Sequence, residues 1–139
     1  MLDVKRINDN VSVSPQINPE DVAAIKAQGF VAIINNRPDG ESPDQPPSAV
    51  IEQAARDAGL AYHYIPLGRE GVTPDMVAKT KEVLEGSNGP VFAYCRSGTR
   101  STTLWALSQA GEAPADEIIS AAANAGYDLS HLAGHLSQN

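Results

Sequence analysis

One stretch constrains the fold more than any other: Pro90-Val91-Phe92-Ala93-Tyr94-Cys95-Arg96-Ser97-Gly98-Thr99-Arg100-Ser101. Val91 to Ala93 is a short apolar strand entered by a proline. A helix is expected from about Ser101 through Leu104, Trp105 and Leu107, stopping at Gly111. Between them lies Cys-x-x-Gly-x-Arg, opened by the chain's only cysteine. A strand that turns this tightly into a helix points its loop N–H groups and first helical N–H groups at one spot. Those donors lack intrahelical partners, and the helix dipole makes the spot positive. Gly98 lets the backbone curl at little steric cost. Arg100 adds a planar fork suited to an oxyanion. A thiol at the mouth of such a loop is favoured as the thiolate, the nucleophilic form. The other fate of a lone cysteine is an inert, buried one. Cys95 is followed only by polar residues and glycine, so an open, reactive thiol is expected.

The rest of the chain is ordered around this stretch. Val4 and Val11-Ser12-Val13 read as short strands about a turn at Asn8-Asp9-Asn10. Asn18-Pro19-Glu20-Asp21 opens a helix that Gly29 ends. Phe30 to Ile34 is a continuous apolar run, the mark of a strand covered on both faces. A long polar loop with four prolines follows, from Asn35 to Pro47. It leaves the C-terminal end of a parallel strand, where open α/β sheets take ligands; a solvated connector is the other reading. Ser48 to Ala58 is a helix, Leu60 to Leu67 a strand, and Thr73-Pro74-Asp75 opens a helix that stops near Gly86. Pro114 starts another helix, ended by Gly126, and Leu129, Leu132 and Leu136 give a short last one. The alternation predicts an α/β fold: a mainly parallel central sheet with helices on both faces, in a single domain over residues 1–139.

Composition narrows the partners. The 139 residues carry a net charge of −7, which argues against nucleic acid or an anionic membrane surface. No stretch is long enough to span a bilayer. The first residues, Met1 to Arg6, lack the apolar core of a signal peptide, and one cysteine permits no internal disulfide, so a cytoplasmic location is expected. His63, His131 and His135 show no metal-ligand spacing, so neither metal nor cofactor is expected. A small anionic substrate is the partner that the loop implies; oligomeric state is left open.

The order of elements resembles the dual-specificity, tyrosine-phosphatase-like fold over residues 11–110. Three segments carry the likeness: Gly29 to Arg37, Tyr64 to Asp75, and Pro90 to Thr103. The whole chain is more similar still to a bacterial family of phosphatase-like domains, also found fused to metallo-β-lactamase-like hydrolases of the persulfide-dioxygenase type. Asn-Asn-Arg-Pro-Asp-Gly-Glu together with Tyr-Cys-Arg-Ser-Gly-Thr-Arg-Ser carries that resemblance. Two departures matter. Four residues separate Cys95 from Arg100, where tyrosine phosphatases have five, and Tyr94 stands where they have His. The Cys-Arg-x-Gly-x-Arg spacing resembles the active loop of single-domain rhodaneses.

The resemblance therefore implies two chemistries. In a phosphatase, Cys95 attacks phosphorus and forms a phosphocysteine. The amides from Arg96 through Ser97, Gly98 and Thr99 to Arg100 hold the equatorial oxygens. Ser101 stabilises the leaving thiolate, and Glu70, by its loop, is the general acid, with Asp39 a second candidate. In a sulfurtransferase, Cys95 carries a persulfide, Arg96 helps hold an anionic donor such as thiosulfate, and no acid is needed. Arg37 either reaches the anion site or makes a structural salt bridge. The phosphatase is favoured because scaffold and acid loop match; a spent, anion-sensing domain is disfavoured because Cys95 and Arg100 are both present.

Overall fold

The computed structural model describes residues 2–136, so residues 1 and 137–139 of the expected domain lie outside the described residues. The strands are β1 (Lys5–Arg6), β2 (Val11–Ser14), β3 (Ala32–Asn35), β4 (Ala61–Tyr64) and β5 (Val91–Tyr94). The helices are α1 (Val22–Ala27), α2 (Ser48–Asp57), α3 (Pro74–Gly86), α4 (Thr99–Ser108), α5 (Ala115–Asn124) and α6 (Ala133–Leu136). Short 3-10 turns at Pro19–Asp21 and Ser130–Leu132 lead into α1 and α6.

The strands form one sheet in the order β1-β2-β5-β3-β4. Only β1 runs antiparallel; β2, β5, β3 and β4 are parallel. The middle strand, β5, has Ala93 level with Val13 on one side and Ile34 on the other. Its side chains alternate between two separate cores, as the period of a strand requires. Val91 and Ala93 join Val11, Val13, Ala32, Ile34, Leu104, Ile118 and Leu129 under α3, α4 and α5. Phe92 and Tyr94 join Ile33, Val22, Ile25, Ile51 and Ala55 under α1 and α2. There Phe92 meets Phe30 edge to face at 5.3 Å, a contact worth about 0.5–1.5 kcal/mol beyond its buried area. Helices therefore cover both faces, and the apolar runs at Phe30 and Val91 are explained: neither strand has a wet side. Trp105 is buried in the first core.

Two of the boundaries that differ from the sequence reading have a clear local reason. β4 stops at Tyr64 rather than Leu67. Pro66 has no N–H to continue the ladder, although Ile65 and Leu67 still donate to the carbonyls of Asn35 and Asn36, at 2.9 and 3.0 Å. Helix α4 begins at Thr99 rather than Ser101, because Gly98 already serves as its cap with a φ of 95°. Among the described residues, no helix is long and apolar enough to cross a membrane.

Candidate active site

The parallel strands bring their C-terminal ends to one edge, the place where sheets of this kind bind ligands. Cys95 leaves β5 there. Its N–H donates to the Ser14 carbonyl at 3.4 Å, and the Tyr94 carbonyl accepts from Asn36 at 2.8 Å. The residue is wholly buried, which corrects the expectation of an open thiol. Polar neighbours in sequence do not expose it, because its own backbone is still bonded into the centre of the sheet. The loop nevertheless addresses the sulfur: the Gly98 N–H lies 3.0 Å from Cys95 Sγ. The Gly98 carbonyl receives the Thr102 N–H and hydroxyl at 3.0 and 2.8 Å, which anchors the first turn of α4.

Only glycine fits position 98. Its φ is in the left-handed region, and an added Cβ would lie 2.2 Å from the Tyr127 hydroxyl. Tyr127 crosses from the segment after α5 and donates its hydroxyl to the Ser97 carbonyl at 2.9 Å. Burial, with a further contribution from Cys95, raises the Tyr127 phenol above its ordinary value, so it stays a donor. Ser97 and Thr99 join through their hydroxyls at 3.0 Å. Ser101 is buried, and its hydroxyl has no hydrogen-bond partner among the described residues. Tyr94, in the position before the cysteine, is buried against the second core; burial pushes its phenol far above the ordinary value.

Arg100 is held by the Pro-rich loop. Its Nη1 donates to Glu41 Oε2 and to the Leu67 carbonyl, each at 2.8 Å, and its Nη2 donates to Glu41 Oε1 at 2.9 Å. A guanidinium has five N–H groups. These contacts use three and leave Nε–H and one Nη2–H, the side-on pair that can fork an oxyanion. Glu41 raises the Arg100 guanidinium above its ordinary value, and Cys95 adds to the effect. The Arg100 and Arg37 hydrogen bonds together hold the Glu41 carboxyl down to about 2. Glu41 is therefore ionised near neutral pH and cannot serve as a general acid.

Arg37 is itself buried, and it builds the loop. Its guanidinium donates to Glu41 Oε1 at 2.9 Å, Gln16 Oε1 at 3.1 Å and Ser42 Oγ at 3.3 Å. The structural salt bridge, to Glu41, is formed. Asp39 uses Oδ1 to accept the Ser48 N–H at 2.7 Å and so caps α2, while its own N–H donates to Tyr64 Oη at 2.9 Å. A cleft of about 500 Å³ opens between Pro38–Glu41, Gly68, Arg69, Arg96 and Arg100. Glu70 is exposed on the β4–α3 loop, one residue beyond the lining. The structure thus brings Cys95, Gly98 and Arg100 together with Arg37 and Asp39 nearby, and leaves Glu70 outside the cleft wall. Glu41, Arg69 and Tyr127 were not singled out by sequence. Glu41 carried one faint signal, the four-residue spacing from Arg37 within a loop with no reason to be helical. Tyr127 carried none, since its contact spans 30 residues.

A family described as the phosphatase-like domain of beta-lactamase hydrolase-like proteins matches residues 3–112. The chain belongs to this family. A beta-lactamase hydrolase-like protein of Agrobacterium fabrum is 36% identical over 126 residues, 89% of this chain. The aligned part is 29% of that relative, so the phosphatase-like domain spans under a third of its length. A solved structure from Neisseria meningitidis, described as a candidate phosphatase, is 34% identical, covers 96% of this chain and 95% of its own, and superposes with a TM-score of 0.82. Kinase associated phosphatase, solved with its catalytic-site cysteine replaced by serine, is 14% identical. It covers 99% of this chain and 92% of its own at a TM-score of 0.70, which shows a shared fold. The fold is that of the cysteine phosphatases, and the Tyr127 segment lies past the matched part of the family domain.

Proposed function

We propose that the domain is a phosphate-monoester hydrolase that works through Cys95. The observation that carries this reading is the Gly98 amide on the Cys95 sulfur at the start of α4, beside an Arg100 guanidinium that Glu41 holds and Cys95 influences. Cys95 Sγ attacks phosphorus; the S–P bond forms as the P–O ester bond breaks. The amides of residues 96–100 and the Arg100 side-on pair hold the equatorial oxygens, whose charge they meet without reorganising. The departing alkoxide takes a proton from Glu70, whose loop must close to bring the carboxyl to the cleft, with Asp39 as second candidate. Water then attacks the phosphocysteine, giving its proton to the same carboxylate, and the S–P bond breaks to release phosphate and the thiolate. The Ser101 hydroxyl, buried and without a partner, is available to donate to the returning thiolate.

The family and the relatives named above carry phosphatase or hydrolase descriptions, which leaves the sulfurtransferase alternative without support. The test is an aryl phosphate assay beside a thiosulfate–cyanide assay, each with wild type and Cys95→Ser. Phosphate release lost in Cys95→Ser, with no thiocyanate formed, is expected. Cys95-dependent thiocyanate without phosphate release would overturn the proposal.

A further inference from the structure

We infer that the cleft holds a second anion subsite, made by Arg69 and Arg96, and that the substrate is a compact small molecule bearing at least two phosphate-type groups. The inference rests on the phosphatase reading for the group that meets Cys95 and extends it to the rest of the substrate.

Charge accounting around the cleft motivates it. Three arginines line the cleft, with two carboxylates, Asp39 and Glu41. Both carboxylates are engaged: Glu41 on Arg100 and Arg37, Asp39 on the start of α2. Among the described residues, the side chains of Arg69 and Arg96 make neither an ion pair nor a hydrogen bond. This is unexpected in a chain with 17 acidic and 10 basic residues, where a bystander arginine has acids to spare. Arg96 lowers the Asp44 carboxyl only as the last of several influences, behind the Ser42 hydroxyl. The two arginines arrive on different loops, one before α3 and one directly after Cys95, and meet at one cleft. An arginine that is always charged, exposed and without a protein partner is a ready receptor for a planar or tetrahedral anion.

The size and lining of the cleft identify the class. About 500 Å³ falls within the range of about 300–1,000 Å³ that holds whole small molecules. Arg100 is part of the wall, so the space beside Arg69 and Arg96 is open to the rest of a substrate whose first phosphate Arg100 holds. The wall has no aromatic side chain, and its one apolar side chain is a proline. Only the arginine guanidiniums could stack on a phosphotyrosyl ring there, with no aromatic and little apolar surface beside them. What the wall offers beyond the first phosphate is positive charge.

The experiment measures binding to the Cys95→Ser protein by calorimetry, so that no turnover is needed. The probes are ethane-1,2-diol bisphosphate and butane-1,4-diol bisphosphate, their monophosphates, and a phosphotyrosyl peptide. At least one bisphosphate should bind about tenfold tighter than its monophosphate, as expected for one added charge-assisted contact. Arg69→Gln and Arg96→Gln, each added to Cys95→Ser, should remove most of that advantage, and added salt should shrink it. Equal affinity for mono- and bisphosphates, an advantage that survives both substitutions, or tighter binding of the phosphotyrosyl peptide would overturn the inference. The two readings fail separately. Aryl phosphate hydrolysis by wild type with no bisphosphate preference refutes the subsite alone. A bisphosphate preference that depends on both arginines, with no hydrolysis by wild type, refutes the phosphatase reading and sustains the subsite.

Discussion

Glu41 receives one N–H from each terminal nitrogen of Arg100, at 2.8 and 2.9 Å. The pairing aims the guanidinium. With Glu41 on its end and the Leu67 carbonyl on Nη1, the side-on edge is the only one left for a substrate. Glu41→Gln keeps the size of the side chain but loses its charge and one acceptor. We expect kcat/KM to fall about tenfold or more and vanadate to inhibit less tightly, since a charge-assisted contact is worth about 1.5–3 kcal/mol. A vanadate Ki that is unchanged or tighter would show that Glu41 merely competes for the guanidinium.

The same carboxylate makes stability depend on acid. The folded Glu41 carboxyl sits near 2, against an ordinary value of 4.5. The folded value is the lower one, so the contribution is complete above about 4.5 and is lost as pH falls through about 2. Glu41 is part-exposed, and solvent screening holds the effect to about 1–2 kcal/mol. Urea denaturation of wild type and Glu41→Gln should differ by a constant amount above pH 5 or so and converge toward pH 2. A gap that widens in acid would contradict this.

Much of this was legible in sequence because it is local. The order of strands and helices follows from apolar runs separated by Gly and Pro, and the pairing of Cys95 with Arg100 follows from one short loop. What sequence could not give is long-range. The burial of Cys95 depends on β2 and β3 flanking β5. The grip on Arg100 depends on a carboxylate 59 residues away. Asp39 reads as a candidate acid in a loop, and only the fold shows Ser48 taking one of its oxygens. Arg37 left two readings open because a buried salt bridge and an anion ligand look the same in one dimension.

Gly98 and Tyr127 make the loop a lock whose parts can be separated. Gly98→Ala places a side chain at φ 95° and a Cβ against the Tyr127 hydroxyl. Backbone strain of this kind costs about 1–3 kcal/mol. We expect kcat/KM to fall at least about 100-fold, with a lower Tm, and Tyr127→Phe should not rescue it, because the φ strain remains. Tyr127→Phe alone loses one hydrogen bond, about 0.5–1.5 kcal/mol, and should lower kcat/KM modestly. Full activity in Gly98→Ala would mean that the loop geometry seen here is not needed for turnover.

The identity of the general acid is the step most open to direct test. General acid catalysis typically contributes about 10²–10⁴-fold, and its size depends on how badly the leaving oxygen needs a proton. Glu70→Gln should therefore slow alkyl and phenyl phosphates severely and an aryl phosphate with a good leaving group far less. The geometry sharpens the test. Glu70 is exposed and one residue past the cleft wall, so its role requires the β4–α3 loop to close on the bound substrate. Gly68 and Gly71 bracket the segment, and Gly71 already has a φ of 87°, a conformation that a side chain at 71 would resist. Gly71→Ala should then mimic Glu70→Gln in part, with the same leaving-group dependence, because it hinders the movement that delivers the acid. Asp39→Asn would instead affect all substrates alike, through the lost charge at the α2 cap and the disturbed loop that carries Glu41. The measurement is kcat/KM for the three variants across a leaving-group series. A leaving-group-dependent loss confined to Asp39→Asn would transfer the role to Asp39, and no such dependence in any variant would remove a carboxylic acid from the mechanism.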